Sequence, residues 1–340
     1  MAWNKPMPAE PVVAVAGVTG AVGREMLLTL EGRNFPASRV VALASARSAG
    51  KKVPFSGGEL TVEEMTPASF EGVDIALFSA GASVSKELRD AVVGAGCVMI
   101  DNSSAFRMDA DVPLVVPEVN PEDIAWHSGV IANPNCSTIQ LVVALKPLDN
   151  LAEIKRVVVS TYQAASGAGA AAMEELYAQS RDFLMGQELH VEQFAHRIAF
   201  NCIPQIDVFM DDGSTKEEWK MVVETKKIMH RDDLEVAATC VRVPVLRCHS
   251  EAVNVEFNDP IRLGAVMETL ENGRGITILD DNETKTYPMP ALLEGTDDVY
   301  VGRVRLDGSV HYGVQMWVVA DQLRKGAALN AVQIAELLLG

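Results

Sequence analysis

The chain has 340 residues, 48% of them hydrophobic and 22% charged. That length suits two ordinary domains rather than one, and the composition excludes wholesale disorder. Lys plus Arg number 29 against 46 Asp plus Glu, a net charge of −17, which argues against a nucleic-acid binder or a partner of anionic membranes.

Any anionic substrate must therefore be held by a few local cations working against the global field. The five cysteines are Cys97, Cys136, Cys202, Cys240 and Cys248, with no CxxC pair. An odd, scattered set argues against a disulfide framework or a structural zinc site and for a reducing compartment. Cys97, Cys202 and Cys240 read as small buried hydrophobes. The N-terminal stretch has no apolar core of the signal-peptide kind, and no apolar run reaches the ~18 residues of a membrane span. A cytoplasmic protein with no metal centre is expected.

In chain order, Val12–Ala16 reads as a short buried strand, followed by a glycine-rich turn and a helix over 25–31. Strands are expected at 40–44, 75–79 and 98–101, with a helix over 85–93 between the last two. This alternation predicts a Rossmann-type parallel sheet with crossover helices. A polar turn at 133–135 leads into a helix over 139–145, then a strand over 157–161. Small residues fill 166–172 before a helix over 173–184. The pattern Thr215-x-x-Glu218 opens a helix that should run to about Met229. Residues 236–257 alternate like β structure, with Pro244 as a breaker. Residues 299–307 and 310–319 read as a hairpin turning at Asp307-Gly308, and 322–339 as a final helix. The second domain is thus α+β with a mainly antiparallel sheet.

Gly17, Gly20 and Gly23 lie between the first strand and the first helix. Backbone N–H groups at such a turn, with the helix dipole behind them, form an anion cradle. The spacing is G-x-x-G-x-x-G rather than G-x-G-x-x-G, so the motif is weak by itself; its place in the β/α run favours a dinucleotide. The second strand ends in Ser45-Ala46-Arg47-Ser48-Ala49-Gly50-Lys51. An NAD enzyme usually places an acid there for the ribose hydroxyls; a guanidinium and hydroxyls suit a 2′-phosphate, so NADP is expected.

Cys136 stands where the turn Asn133-Pro134-Asn135 enters a helix. A thiol in that position has its thiolate favoured by free N–H groups and the dipole, and the same N–H groups can stabilise an oxyanion. A thiolate nucleophile needs a proton carrier. Of His127, His190, His196, His230, His249 and His311, the one in Arg247-Cys248-His249-Ser250 is the candidate, and strand parity separates it from Cys248.

These features resemble the bacterial aspartate-semialdehyde dehydrogenase family over essentially the whole chain. The resemblance rests on GVTGAVG at 17–23, ASARSAGK at 44–51, DNSSAFRMD at 101–109, VPEVN at 116–120, ANPNCST at 132–138, STYQAASGAG at 160–169, ETKKI at 224–228, CVRVPVLRCHSEA at 240–252 and DQLRKGAALN at 321–330. It implies that Cys136 is the acyl-thioester nucleophile, His249 the general acid/base, and Gln163 the residue orienting the thioacyl group. Arg242 would pair with the substrate carboxylate, Glu224 with its amino group, and Arg107 and Lys227 with phosphate, with Asn135 beside the nucleophile. NADP(H) would be held by Gly17, Thr19, Gly20, Ala21, Val22, Gly23, Ser45, Arg47, Ser48, Ser166, Gly167 and Gln322. The domains implied are 1–137 with 321–340 for NADP, and 138–320 for catalysis and homodimerisation, with the C-terminal helix packed on the nucleotide domain.

The implied reaction is NADPH-dependent reduction of L-aspartyl 4-phosphate to L-aspartate 4-semialdehyde and phosphate, on the route to lysine, threonine and methionine. Glu224 and Lys227 share a helix face at i,i+3. Arg242 and His249 are seven apart, so an unbroken strand would face them oppositely; Arg247, which shares the parity of His249, is the alternative carboxylate ligand. An N-acetyl-γ-glutamyl-phosphate reductase-like enzyme and a non-catalytic NADPH-binding relative are the competing readings.

Overall fold

The computed structural model describes Trp3 and residues 5–340. The chain divides into two compact units, residues 1–135 with 327–340, and residues 136–326. Cys136, Ser137 and residues 321–326, expected with the nucleotide domain, therefore fall in the second unit.

The first unit is built on strands β1 (Val12–Ala16), β2 (Arg39–Ala44), β5 (Glu63–Glu64), β6 (Ile75–Phe78), β7 (Val98–Asp101) and β8 (Val130–Ala132), with a side hairpin of β3 (Lys52–Phe55) and β4 (Gly58–Thr61). The sheet order is β5-β2-β1-β6-β7-β8, and every pairing in it is parallel. Helices α1 (Ala21–Gly32) and α2 (Ala82–Gly94) are crossovers. Strands β6 and β7 are buried along their whole length, which is why they read as unbroken apolar runs rather than alternating ones. The chain leaves β1 for β2 on one side and later returns to β6 on the other. The β1/β6 gap is therefore the switch point at which open α/β sheets bind ligands. The terminal helix Leu329–Leu337 lays Ala331, Val332 and Ile334 into the core shared with Met26, Leu27 and Leu30 of α1. It is preceded by a π-helical turn at Arg324–Ala328, so the expected single helix over 322–339 is in fact two pieces.

The second unit comprises α3 (Cys136–Leu151), β9 (Ile154–Gln163), α4 (Ala170–Leu184), α5 (Lys216–Met229), β10 (Glu235–Arg242), β11 (His249–Phe257), α6 (Leu263–Glu271), β12 (Ile276–Ile278), α7 (Pro290–Leu293), β13 (Val299–Leu306) and β14 (Gly313–Ala320). Its sheet order is β10-β9-β11-β14-β13-β12. The β9/β11, β11/β14 and β13/β14 pairings are antiparallel, while β10/β9 and β12/β13 are parallel. The sheet is thus mixed, with the antiparallel pairs at its centre. From Glu251 onward β11 alternates buried and half-buried residues, the pattern of a sheet with one covered face. Helix α3 is the cover: Ile139, Leu141, Val142, Leu145 and Leu148 are all buried, and it packs on β9, β13, β14, α5 and α6. It runs a turn and a half beyond the expected end, past Pro147.

Two local expectations change. Strands β13 and β14 do not meet at Asp307-Gly308; they are joined by residues 307–312, closed by Asp307 N–H donating to Gly313 O at 2.8 Å. Cys97 and Cys240 are buried, but Cys202 is exposed, because it follows a left-handed turn at Phe200 rather than lying in an element.

Candidate functional site

In the first unit, the glycine turn is shaped by its main chain. Gly17 and Val18 both donate to Leu43 O, at 2.9 and 3.1 Å, and Gly20 N–H returns to Gly17 O at 3.0 Å. Gly17 sits at φ +89°, and a Cβ there would lie 2.3 Å from Ser79 O, so only glycine fits. Helix α1 then starts with Gly20 as its N-cap, no capping side chain and no acid in its first turn. The amides of Ala21, Val22 and Gly23 belong to the first turn, which a helix leaves without internal acceptors. Thr19 is half-buried beside them. Arg47 and Ser45 are exposed in the short turn after β2, and Ser48 is buried under it. An uncapped, acid-free helix start and an exposed guanidinium fit the pyrophosphate and 2′-phosphate of NADP.

The same unit holds the turn that precedes Cys136 in the chain. Arg107 is buried, and its Nε donates to Asn133 O and Nη2 to Asn102 O, both at 3.0 Å. Asn330 donates to Asn133 Oδ1 at 2.6 Å and to Val115 O at 3.0 Å. These bonds fix the turn that ends at Asn135, itself buried. Asp101, at the end of β7, is buried too. Burial holds its carboxyl above the usual range, while hydrogen bonds from Ser103 and Ser85 and the charge of Arg107 pull it back.

The second unit gathers its side chains at the C-terminal end of β9. Arg242 pairs in register with Gln163 across β10/β9, and Ser250 pairs with Tyr162 across β11/β9. Arg242 and His249 are therefore on different strands flanking β9. The connection 243–248 crosses over the end of β9, held by Ala165 N–H to Val245 O at 2.8 Å and Ser166 N–H to Leu246 O at 3.1 Å. The seven-residue parity problem disappears, because no single strand spans both residues. Neighbours in register share a face, so Gln163, Arg242 and His249 face the same side.

The main chain of Ala164 ties Arg242 to His249, one peptide group on each side of its Cα. Ala164 O accepts from Arg242 Nη1 at 2.6 Å, and Ala164 N–H donates to His249 Nδ1 at 3.0 Å. Gln163 Nε2 donates to Ser137 Oγ at 2.5 Å and to Glu217 Oε1 at 3.2 Å. Ser137 is the second residue of α3, so Gln163 is linked directly to the helix start that carries Cys136. Cys136 is half-buried, and a Cβ on Gly326 would lie 2.9 Å from its Cβ. Gly167 is as crowded: its Cβ would meet Arg242 Nη1 at 2.9 Å and His249 Nε2 at 3.1 Å. Burial pulls the Arg242 guanidinium below its ordinary value, with Glu217 and Cys136 acting in the opposite sense. Burial, then Arg242, holds His249 well below the usual histidine range.

Arg247 turns away from this cluster. Its Nε pairs with the buried Asp321 at 2.7 Å, so Arg242 is the cation beside His249. Gln322 Oε1 accepts from Cys248 N–H at 2.8 Å and its Nε2 donates to Ser166 Oγ. Cys248 holds φ +72°, unusual for a residue with a side chain, and that clamp fixes it one residue before His249.

Helix α5 is set by the expected capping box. Thr215 N–H donates to Glu218 Oε2 at 2.7 Å, and Glu218 N–H to Thr215 Oγ1 at 3.3 Å. Glu218 Oε1 also accepts from Cys240 N–H at 3.0 Å, which pins the helix start to the edge strand β10. Glu224 is buried on this helix and Lys227 half-buried. Sequence reasoning missed Glu217, Ser137, Ala164 and Gly326. Only Glu217 left a signal, as an acid inside the first turn that the capping box marks; Ala164 acts through its peptide group, which no side chain announces. Among the described residues no cluster of His, Cys, Asp and Glu could hold a metal, and no helix is long and apolar enough to cross a membrane.

Residues 12–127 match the family described as semialdehyde dehydrogenase, NAD binding domain, and residues 145–325 match semialdehyde dehydrogenase, dimerisation domain. The chain is 55% identical over 331 residues to aspartate-semialdehyde dehydrogenase of Aquifex aeolicus, covering 96% of this chain and 97% of that one. It is 54% identical over 334 residues to the Bacillus subtilis protein of the same name, covering 96% of each. A crystal structure of aspartate semialdehyde dehydrogenase II from Vibrio cholerae complexed with ASA superposes with a TM-score of 0.94 at 50% identity, over 97% of this chain and 98% of that one. A Candida albicans aspartate semialdehyde dehydrogenase with NADP gives 0.76 at 27% identity, over 97% and 98%.

Proposed function

The chain belongs to the aspartate-semialdehyde dehydrogenase family, and from that premise we propose how its own residues perform the reaction. The enzyme is an NADP-dependent, phosphorylating dehydrogenase that interconverts L-aspartyl 4-phosphate and L-aspartate 4-semialdehyde in the synthesis of aspartate-family amino acids. The single observation that carries the assignment of roles is the convergence of Arg242 and His249 on the main chain of Ala164, next to Gln163, whose side chain links through Ser137 to the start of the helix that carries Cys136.

Cys136 is the nucleophile. Its thiolate attacks the C4 carbonyl, an S–C bond forms, and the C–O bond to phosphate breaks with phosphate leaving. An acyl phosphate is activated, so the thioester forms readily and one hard step becomes two. Arg107 and Lys227 take the phosphate. Arg242, buried beside His249, takes the substrate α-carboxylate; Glu224 takes the amino group; Asn135 and Gln163 orient the thioacyl group. When bound, NADPH supplies the hydride that reduces the thioester. The glycine turn with residues 19–23 would hold its pyrophosphate and Ser45, Arg47 and Ser48 its 2′-phosphate, with Ser166, Gly167 and Gln322 as further contacts to the cofactor. The tetrahedral species then re-forms its C=O bond and expels the Cys136 thiolate. The acid/base role given to His249 falls on Nε2, since Nδ1 is occupied by Ala164 N–H.

The presence of the dimerisation-domain family supports a homodimer, and the five scattered cysteines with no CxxC pair support a cytoplasmic setting. The direct test is the reverse assay, aspartate semialdehyde with NADP⁺, with and without inorganic phosphate. Phosphate-dependent NADPH formation is expected. No reduction by a protein that still binds NADPH would discard the substrate and point to N-acetylglutamate semialdehyde.

A further inference from the structure

We propose that Asn102, Asn133 and Asn330 form a directed chain of side-chain amides that positions Arg107 for phosphate, with Asn102 as its outermost link. This rests on the reading of Arg107 as a phosphate ligand.

The chain starts where two paired strands end. β7 and β8 run parallel with Asp101 opposite Ala132, and Asn133 N–H adds one more rung to Asp101 O at 2.8 Å. Asn102 and Asn133 are thus the first residues beyond the C-terminal ends of the two strands, where open α/β sheets bind their ligands. There the ladder passes from main chain to side chain. Asn133 Nδ2 donates to Asn102 Oδ1 at 2.5 Å and to Ala327 O at 3.3 Å. Asn330, at the start of the terminal helix, donates through Nδ2 to Asn133 Oδ1 at 2.6 Å and to Val115 O at 3.0 Å.

The direction of the chain is fixed by the carbonyls it touches. Val115 O and Ala327 O can only accept, so the NH₂ groups of Asn330 and Asn133 must face them. Asn133 Oδ1 then accepts from Asn330, and Asn102 presents its oxygen to Asn133. Asn133 and Asn330 are fully buried, where a mispaired amide is not rescued by water.

What the chain holds is a spacing. Arg107 Nε donates to Asn133 O and Nη2 to Asn102 O, both at 3.0 Å. These carbonyls belong to the two residues whose side chains are joined, 31 apart in sequence. A guanidinium is a planar fork and needs its two acceptors at a matched separation. With Nε and Nη2 both committed, the plane cannot turn and the direction of Nη1 is set. From the other side, Asp101 takes Ser103 N–H at 3.2 Å, Ser103 Oγ at 2.6 Å and Ser85 Oγ at 2.7 Å. Those bonds shape the loop after Asn102; the Asn133 amide is the side-chain tie from Asn102 to the end of β8.

The consequence falls on one half of the reaction. With aspartate semialdehyde and NADP⁺, the Cys136 thiolate adds to the aldehyde carbon and a hydride passes to NADP⁺, leaving a thioester. HPO₄²⁻ then attacks: a C–O bond forms, the C–S bond breaks, the thiolate leaves and a proton is released. The second half alone needs Arg107 aimed at phosphate.

The test is a burst experiment on the whole enzyme with inorganic phosphate as the probe. Asn102→Ala should raise KM for phosphate about tenfold, the worth of one misplaced charge-assisted contact. The burst of NADPH formed without phosphate should keep its rate and amplitude within about twofold. A burst that falls along with phosphate affinity marks a merely structural role and overturns the proposal, as does an unchanged KM. Asn102→Ser, too short to reach Asn133, must give the same split and replaces the alanine variant if that one does not fold. A double-mutant cycle reads the route. Lysine has no fork to span two carbonyls, so in an Arg107→Lys background Asn102→Ala should change KM for phosphate by less than about twofold. A full tenfold effect there would mean that Asn102 acts elsewhere and overturns the proposal. Arg107→Lys alone separates the two readings. A normal KM for phosphate removes Arg107 from the phosphate site and the amide chain's role with it; a raised KM beside a normal Asn102→Ala overturns the proposal alone.

Discussion

In the parallel sheet, β1 runs into a turn made of main chain: Gly17, Val18 and Gly20 are fixed by bonds to Leu43 O and Gly17 O, and α1 begins with no capping side chain. In the mixed sheet, β9 runs into a cluster of long side chains: Gln163, Arg242 and His249 arrive on three strands, the last two held by the main chain of Ala164 and the first by Ser137 and Glu217. The difference follows from strand connections. A βαβ unit delivers a helix N-terminus to the end of its strand, so backbone dipoles become available there. A strand flanked by one parallel and one antiparallel neighbour collects residues far apart in the chain, so side chains become available instead. An anionic cofactor needs the first arrangement and a reacting carbonyl the second.

The largest expected effect breaks the second region alone. Cys136→Ala should lower turnover by about 10⁴-fold or more, while NADPH binding, measured by fluorescence titration, stays within about twofold of wild type, a change too small to register as lost binding energy. Substantial residual turnover would end the covalent mechanism.

A matched pair of glycine substitutions compares the two regions directly. In Gly17→Ala the new Cβ meets a backbone oxygen at 2.3 Å in a left-handed residue. Neither can yield, and a loss of about 3 kcal/mol in the urea unfolding free energy is expected. In Gly167→Ala the Cβ meets the far ends of Arg242 and His249. Those can move, so stability should stay within about 1 kcal/mol while kcat falls about 10- to 100-fold through misplacement. If the second variant unfolded like the first, the two regions would not differ as argued.

This contrast also explains what the sequence revealed. The glycine turn was legible because its constraint is written in residue type: only glycine tolerates Gly17's position. The strands β1, β6 and β7 were legible because burial on both faces leaves an unbroken apolar run. Capping at Thr215 and Glu218 was legible as a spacing. The placing of Arg242 beside His249 was not, because it depends on the β10-β9-β11 order, a long-range fact that no local period carries. Parity reasoning assumed one strand where the chain makes two, with β9 between them. In the second unit Cys136 and His249 were legible from their own flanking residues, while Gln163 and Arg242 came from family resemblance, and geometry supplies the reason Gln163, Arg242 and His249 sit together.

Arg47→Ala sharpens the account of the first region. Arg47 is exposed in the turn after β2, and removing it should weaken NADPH binding about tenfold, the worth of one charge-assisted contact. NADH binding should change little, so the ratio of the two dissociation constants is the measurement. An equal loss for both cofactors would remove Arg47 from the 2′-phosphate site.

The smallest effect separates a turn held by main chain from one held by a carboxylate. The glycine turn has no titratable member. In the β13–β14 turn, Asp307 accepts from Ser309 Oγ at 2.6 Å, Ser309 N–H at 2.9 Å and Asn254 at 3.2 Å. Those bonds, led by the Ser309 hydroxyl, lower its pKa from 3.8 to about 2. A carboxyl whose folded pKa is depressed stabilises the fold above its unfolded value, and that contribution fades as pH falls through the folded one. The turn should therefore hold above about pH 4 and loosen toward pH 2, in the window the shift defines. Asp307→Asn should cost about 1 kcal/mol at pH 7. It should also flatten the acid limb of the stability curve between those two values. Hydrogen exchange at Gly313 and Ser309 would follow it locally, and the amides of Gly17 and Gly20 should keep their protection over the same range. Equal loss at both turns would mean that the acid response is global and that the carboxylate has no part in it.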